Sequence, residues 1–155
     1  VLLDRVPLPA SNIHPVPTRA GDAQRDAQAY AALLENNLPL ANRVPVFDLI
    51  LLGMGEDGHT ASLFPGTSIL HETQKPVAAV YVDKLASWRI SLTYPVLNAA
   101  RCVIFLVSGK NKAGQIRAIF NHEPSPPVPI QQVQPAHACY WYLDADAAAG
   151  LAQCT

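Results

Sequence analysis

The sequence predicts an α/β fold, an open and mainly parallel sheet flanked by helices. Three observations carry it. Short, almost purely apolar runs at 46–52, 77–82 and 101–108 have the length of strands buried on both faces. Segments with helical spacing alternate with them. A glycine-rich turn, Gly53–Gly58, closes the first run where a strand would hand over to the next element. The chain has 155 residues, 50% apolar and 15% charged, with a formal net charge of −1. That length suits one domain, 1–155, with a real core. The charge balance gives no reason to expect a nucleic-acid or membrane partner, and no run approaches the roughly 18 residues of a membrane span.

The elements follow in order. Val1–Pro17 holds four prolines and begins without methionine, which suggests a piece of a longer polypeptide. Asp22 is placed to cap a helix whose stripe is Ala23, Ala27, Tyr30, Leu33 and Leu34, stopped by Asn36-Asn37 and Pro39. Val46–Leu52 is the first buried strand, and His59–Leu63 reads as the start of a short helix. Val77–Val82 is an apolar strand. Trp88–Tyr94 alternates and so has one wetter face. Pro95–Ala100 fits a helical turn with proline first. Arg101–Ser108 is the third buried strand, and Lys110–Asn121 is a helix with Ala113, Ile116, Ile119 and Phe120 inward. Glu123–Pro135, with five prolines, is a loop with a short edge strand at Pro129–Val133. His137–Leu143 is the last strand, and Asp144 caps a final alanine-rich helix. The three cysteines lack metal-type spacing. Cys102 and Cys139 sit in apolar runs and read as buried free thiols, consistent with a reducing compartment.

Chemistry concentrates in Gly53-Met54-Gly55-Glu56-Asp57-Gly58-His59. Ligands bind at the carboxyl ends of strands in open α/β sheets. Glycines there let backbone N–H groups approach an anion or an oxyanion. Glu56, Asp57 and His59 put two carboxylates and an imidazole in four residues. A neutral imidazole is a general base near pH 7, and a helix start at His59 would disfavour its protonated form. The spacing also matches G-x-G-x-x-G, but the acidic pair inside the loop would repel a pyrophosphate.

The run Leu52–Gly66, continuing as His59-Thr60-Ala61-Ser62-Leu63-Phe64-Pro65-Gly66, resembles the signature of the 6-phosphogluconolactonases. Val6–His14, Arg89–Asn98, Val107-Ser108-Gly109 with Lys112-Ala113, and Trp141–Asp144 extend the resemblance along almost the whole chain. Glucosamine-6-phosphate deaminases share the Gly-x-Gly-x-Asp-Gly-His part but continue with Phe-Asn-Glu-Pro. The Ser62-Leu63-Phe64-Pro65 continuation favours the lactonases.

The resemblance implies a phosphosugar isomerase/lactonase-type fold and hydrolysis of 6-phosphoglucono-δ-lactone in the pentose phosphate pathway, in the cytoplasm, without redox cofactor or metal. His59 would be the general base acting on water, with Asp57 supporting it. Gly53, Gly55 and Gly58 would line the substrate site, and backbone amides of the Gly53–Gly58 turn would donate to the oxyanion. Arg89 and Lys112 would take the substrate phosphate, with Lys110 as the competitor of Lys112. Arg101 is assigned to structure, and His14, His71, His122 and His137 to structural or exposed positions. The partner implied is a phosphorylated sugar lactone; monomer and homodimer both stay open. Full family members are longer and start with a glycine-rich phosphate loop absent here. The chain is therefore expected to be the C-terminal part of a longer lactonase. The alternatives are a deaminase/isomerase or a catalytically silent phosphosugar-binding module.

Overall fold

In the computed structural model, which describes residues 3–18, 21–123 and 126–151, three parallel strands hold the centre. Helix α1 (Ala23–Asn37) starts where the sequence places it: the Asp22 carboxylate accepts from the amides of Gln24 (2.9 Å) and Arg25 (3.3 Å). It ends as the chain turns extended at Leu38, ahead of Pro39.

The expected strand at 46–52 is shortened to its last three residues and preceded by a hairpin. Leu40–Ala41 (β1) and Val44–Pro45 (β2) form a small antiparallel hairpin. Its two-residue turn, Asn42-Arg43, has both φ angles positive, the geometry that matches strand twist in tight hairpins. Only Ile50–Leu52 (β3) joins the parallel sheet. Val77–Val82 (β4) and Ser87–Leu92 (β5) form a separate antiparallel pair, not part of the parallel sheet. The Asp83–Leu85 3-10 turn and a left-handed Ala86 join them. Helix α1 covers this pair through Ala27, Leu34 and Val77.

Tyr94–Ala99 (α2) carries proline in its first turn, as expected. Cys102–Val107 (β6) pairs with β3 on one side and with Ala138–Leu143 (β7) on the other, giving the parallel order β3-β6-β7. Between β6 and β7 lie the Lys110–Lys112 3-10 turn and Ala113–Phe120 (α3). One sheet face, built from Ile50, Leu52, Val103, Phe105 and Val107, is buried with Leu97, Ile116, Ile119 and Ile130 in the main core.

The opposite face corrects the expectation of strands buried on both sides. Leu51, Leu106, Tyr140 and Tyr142 point there and are 50–60% exposed. Alternating residues of a strand leave on opposite faces, so an apolar run alone does not say that both faces are covered. Cys139 is exposed and Cys102 half-buried, against the expectation of two buried thiols; Cys154 lies outside the described residues.

Three further segments differ from the reading above. His59–Leu63 is a turn, not a helix start: the Leu63 amide donates to Thr60 (2.9 Å), Thr60 and Leu63 form an isolated bridge, and Ala61 has φ of 48°. Pro129–Gln132 is a 3-10 turn, not an edge strand, with Ile130 fully buried and the Gln131 amide oxygen accepting from the Val128 amide (2.9 Å). After β7 the chain forms turns, not a helix; Asp144 still caps, accepting from the Ala147 amide at 2.7 Å.

Candidate active site

The turn that leaves β3 is closed by its own backbone. The Gly55 amide donates to the His59 carbonyl (2.8 Å) and the Gly58 amide to the Gly55 carbonyl (3.1 Å). The buried Thr60 hydroxyl donates to the Gly53 carbonyl at 2.8 Å. The amides of Gly55 and Gly58 are thus spent inside the turn. This takes Gly55 and Gly58 out of the set of turn amides expected to face an oxyanion, since an N–H already paired has little left to offer a ligand.

Two glycines are required here for different reasons. A Cβ on Gly55 would sit 2.1 Å from Cε1 and Nδ1 of His59, so the absent side chain is the space the imidazole occupies. Gly58 has φ of 73°, and a Cβ there would also strike Val128 at 2.6 Å. The Gly58 carbonyl accepts from the Ile130 amide (3.0 Å), and Tyr94 Oη donates to the Pro129 carbonyl (3.0 Å). The turn is therefore pinned through 129–130 to α2. Burial of Tyr94 pushes its phenol up to about 12, so it stays a donor. Gly53 has nothing nearer than 3.9 Å to an added Cβ, so neither reason applies to it.

At the centre, Asp57 Oδ1 lies 2.6 Å from His59 Nδ1 and accepts from the His59 amide at 3.2 Å. Lys84 Nζ, from the turn between β4 and β5, donates to Asp57 Oδ2. Partial burial pushes the Asp57 carboxyl up, but the hydrogen bonds from Lys84 and His59 outweigh it and bring it down to about 2. An ionised carboxylate only accepts, so Nδ1 must carry the proton, and in the neutral ring Nε2 is the free nitrogen. The imidazole also packs on Phe64, ring centroids 4.0 Å apart, and the Lys84 ammonium sits 4.6 Å from the same ring.

His59, Gly53 and Gly55 line a cleft of about 380 Å³ with Met54, Thr60 and Ala61. Gly58 is turned away from it, against Val128. With no helix beginning at His59, the expected macrodipole effect on the ring has no source. Lys84 and Phe64 are the residues that sequence reasoning missed as site components. Phe64 stood in the motif, but Lys84 is 27 positions from Asp57, and only the β4–β5 hairpin brings them together.

The two expected phosphate cations are not brought together. Arg89 Nη1 donates to Ser87 Oγ (2.7 Å) and the Trp88 carbonyl (3.2 Å), and Arg89 lines a different cavity, beside Asp22 and Asp26 of α1. Lys112 is half-buried in the turn next to Asn111, whose side-chain amide donates to Glu56 Oε1. Lys110 and Lys112 flank that Asn111 on either side, Lys110 exposed and Lys112 half-buried. The strand-to-helix junction expected to suit an anion already has one: the Gly109 amide donates to both Asp144 carboxylate oxygens, at 3.1 and 3.0 Å. Arg101 pairs with Asp48 at 2.8 Å on the surface, and His14, His71, His122 and His137 are all exposed. Among the described residues no three His, Cys, Asp or Glu side chains converge as a metal cage requires, and no helix is long and apolar enough to cross a membrane.

The family model described as glucosamine-6-phosphate isomerases/6-phosphogluconolactonase matches residues 1–141. The chain belongs to that family. It is 42% identical to a 6-phosphogluconolactonase of Synechocystis, covering 96% of this chain and 62% of that one. With the human 6-phosphogluconolactonase it shares 40% identity, over 95% of this chain and 57% of the other. Among solved structures, the devB protein superposes with a TM-score of 0.87 at 35% identity, over 97% of this chain and 63% of that one. A 6-phosphogluconolactonase from Trypanosoma brucei superposes at 0.76 with 33% identity, over 92% and 59%. The chain thus spans about three fifths of the length of these relatives.

Proposed function

We propose that the polypeptide to which this chain belongs hydrolyses 6-phosphoglucono-δ-lactone to 6-phosphogluconate, with His59 as general base. The observation that carries the proposal is the Asp57–His59 pair at 2.6 Å, set on the rim of a cleft at the carboxyl end of a parallel strand. A δ-lactone is an activated ester. One base that takes a proton from attacking water suffices, and such catalysis is typically worth about 10² to 10⁴-fold. Asp57 orients the ring and stabilises the imidazolium that forms as water attacks. The oxyanion is left to amides of the turn other than Gly55 and Gly58. The phosphate carries about −1.5 to −2 charges and needs a cation. Lys112, with Lys110 as its competitor, flanks the Asn111 that bonds Glu56 and is taken for this role ahead of Arg89, which lines another cavity.

The curated relatives named above are lactonases, and the Ser62–Pro65 continuation supports the same choice within the family. The reaction is placed in the cytoplasm on the strength of its pathway. The chain is read as the C-terminal part of a longer lactonase, a reading supported by the open apolar face of β3-β6-β7 and the greater length of the relatives.

The test is hydrolysis of freshly generated 6-phosphogluconolactone, followed above its spontaneous rate. Acceleration that His59→Ala abolishes is expected; acceleration unchanged by that substitution removes the proposed base. Release of ammonia from glucosamine 6-phosphate would move the assignment to a deaminase. Binding of the sugar phosphate without turnover would indicate a silent module. For the longer polypeptide, the check is coding sequence running in frame upstream of Val1 and containing a glycine-rich loop.

A further inference from the structure

Lys84 enters the site from outside the motif. It lies in the turn that joins β4 to β5, on a hairpin separate from the parallel sheet. Its ammonium donates to Asp57 Oδ2, the carboxylate oxygen His59 does not use, and rests against the face of Phe64, on which the His59 ring also packs. The three side chains form a line: ammonium, carboxylate, imidazole. Each oxygen of Asp57 has its own partner.

We infer that Lys84 is a positioning residue for His59, acting through Asp57: it holds Oδ2 so that Oδ1 stays on Nδ1–H, and its positive charge offsets part of the carboxylate's pull on a second ring proton. The inference rests on the reading of His59 as the base. An imidazole beside a lone carboxylate is drawn toward its charged form, which is useless for taking a proton from water. A cation on the far oxygen weakens that pull and leaves Nε2 free. The other charged groups on the elements around the ring are Glu56 in the same turn, bonded by Asn111; Asp83, which shares a cleft with Asp57 and Lys84; and, on either side of Asn111, Lys110 and Lys112. Of these charges other than Asp57, Lys84 has a direct bond to the carboxylate that holds His59.

The experiment compares wild type with Lys84→Met, Lys84→Gln and Lys84→Arg. Lys84 is half exposed in a surface turn, and these changes leave the core untouched. The imidazole NMR signals of His59 are expected to titrate at higher pH in the Met and Gln variants, and at the wild-type position in the Arg variant. Lactone hydrolysis is expected to fall about tenfold at pH 6 and clearly less at pH 8, with KM unchanged and Lys84→Arg restoring the profile. Met and Gln variants with the wild-type titration and pH profile would overturn the inference. So would a raised KM with unchanged kcat, which would make the ammonium a substrate ligand. If the chain hydrolyses no lactone, the reading of His59 as lactonase base fails, while the NMR comparison still decides whether Lys84 acts on the ring.

Discussion

The Asp57–His59 turn and the proposed phosphate cations are built to different standards. In the turn, each part is constrained by another: Gly55 makes room for the imidazole, Asp57 holds it, and Gly58 is pinned to Ile130. The cations share no such network. Arg89 hydrogen-bonds to neighbours on its own strand in another cavity, and it is Asn111, the neighbour of Lys112, that bonds to Glu56 in the turn. A proton acceptor must be held within a few tenths of an ångström to work, whereas attraction between charges falls off slowly and tolerates loose placement. The contrast teaches that the turn is rigidly built while the placement of the proposed cations is loose.

Given that contrast, substitutions in the turn should outrank those among the cations. His59→Ala should have the largest effect, lowering lactone hydrolysis about 10² to 10⁴-fold with little change in KM. Gly55→Ala should come close behind, because its Cβ must displace the ring. It should also cost about 1–3 kcal/mol of stability, measured by denaturant titration, as overpacking does. Wild-type activity in Gly55→Ala would break the claim that the ring position matters.

Asp57→Asn should lower kcat by less than His59→Ala, and it carries a pH signature. The folded Asp57 titrates at about 2, below its ordinary 3.8. Its stabilising contribution is therefore complete above about pH 4 and is lost as pH falls through about 2. The stability gap between wild type and Asp57→Asn should close across that window in acid denaturation curves. The gap should be modest, since the carboxylate is a third exposed and screened by water. Lys112→Ala should chiefly raise KM; a fall in kcat with KM unchanged would contradict a phosphate role. Arg89→Ala should be the mildest change. A KM effect larger than that of Lys112→Ala would reverse the ranking of the two cations.

The motif from Gly53 to Pro65 was legible because its chemistry is local. Asp57 and His59 are two residues apart, and a glycine turn after an apolar strand brings them together without help from elsewhere. Asp22 as helix cap and Pro95 in the first turn of α2 were legible for the same reason. The errors fall where a local pattern has two solutions. His59–Leu63 could begin a helix, but Thr60 bonds back to Gly53 and a left-handed Ala61 ends it as a turn. Pro129–Val133 looked like an edge strand, but burial of Ile130 under Gly58 curls it into a 3-10 turn.

By itself, then, the amino-acid order determined the layer type, the glycine turn and the identity of the carboxylate–imidazole pair, because each depends on neighbours within a few bonds. Tertiary structure alone decided that Lys84 meets Asp57, that Arg89 faces another cavity, that Asp144 fills the anion-suited junction at Gly109, and that Leu51, Leu106, Tyr140 and Tyr142 on one sheet face stay about half exposed. Those outcomes depend on which distant segments pack together, and periodicity carries no information about partners 27 or 35 positions away.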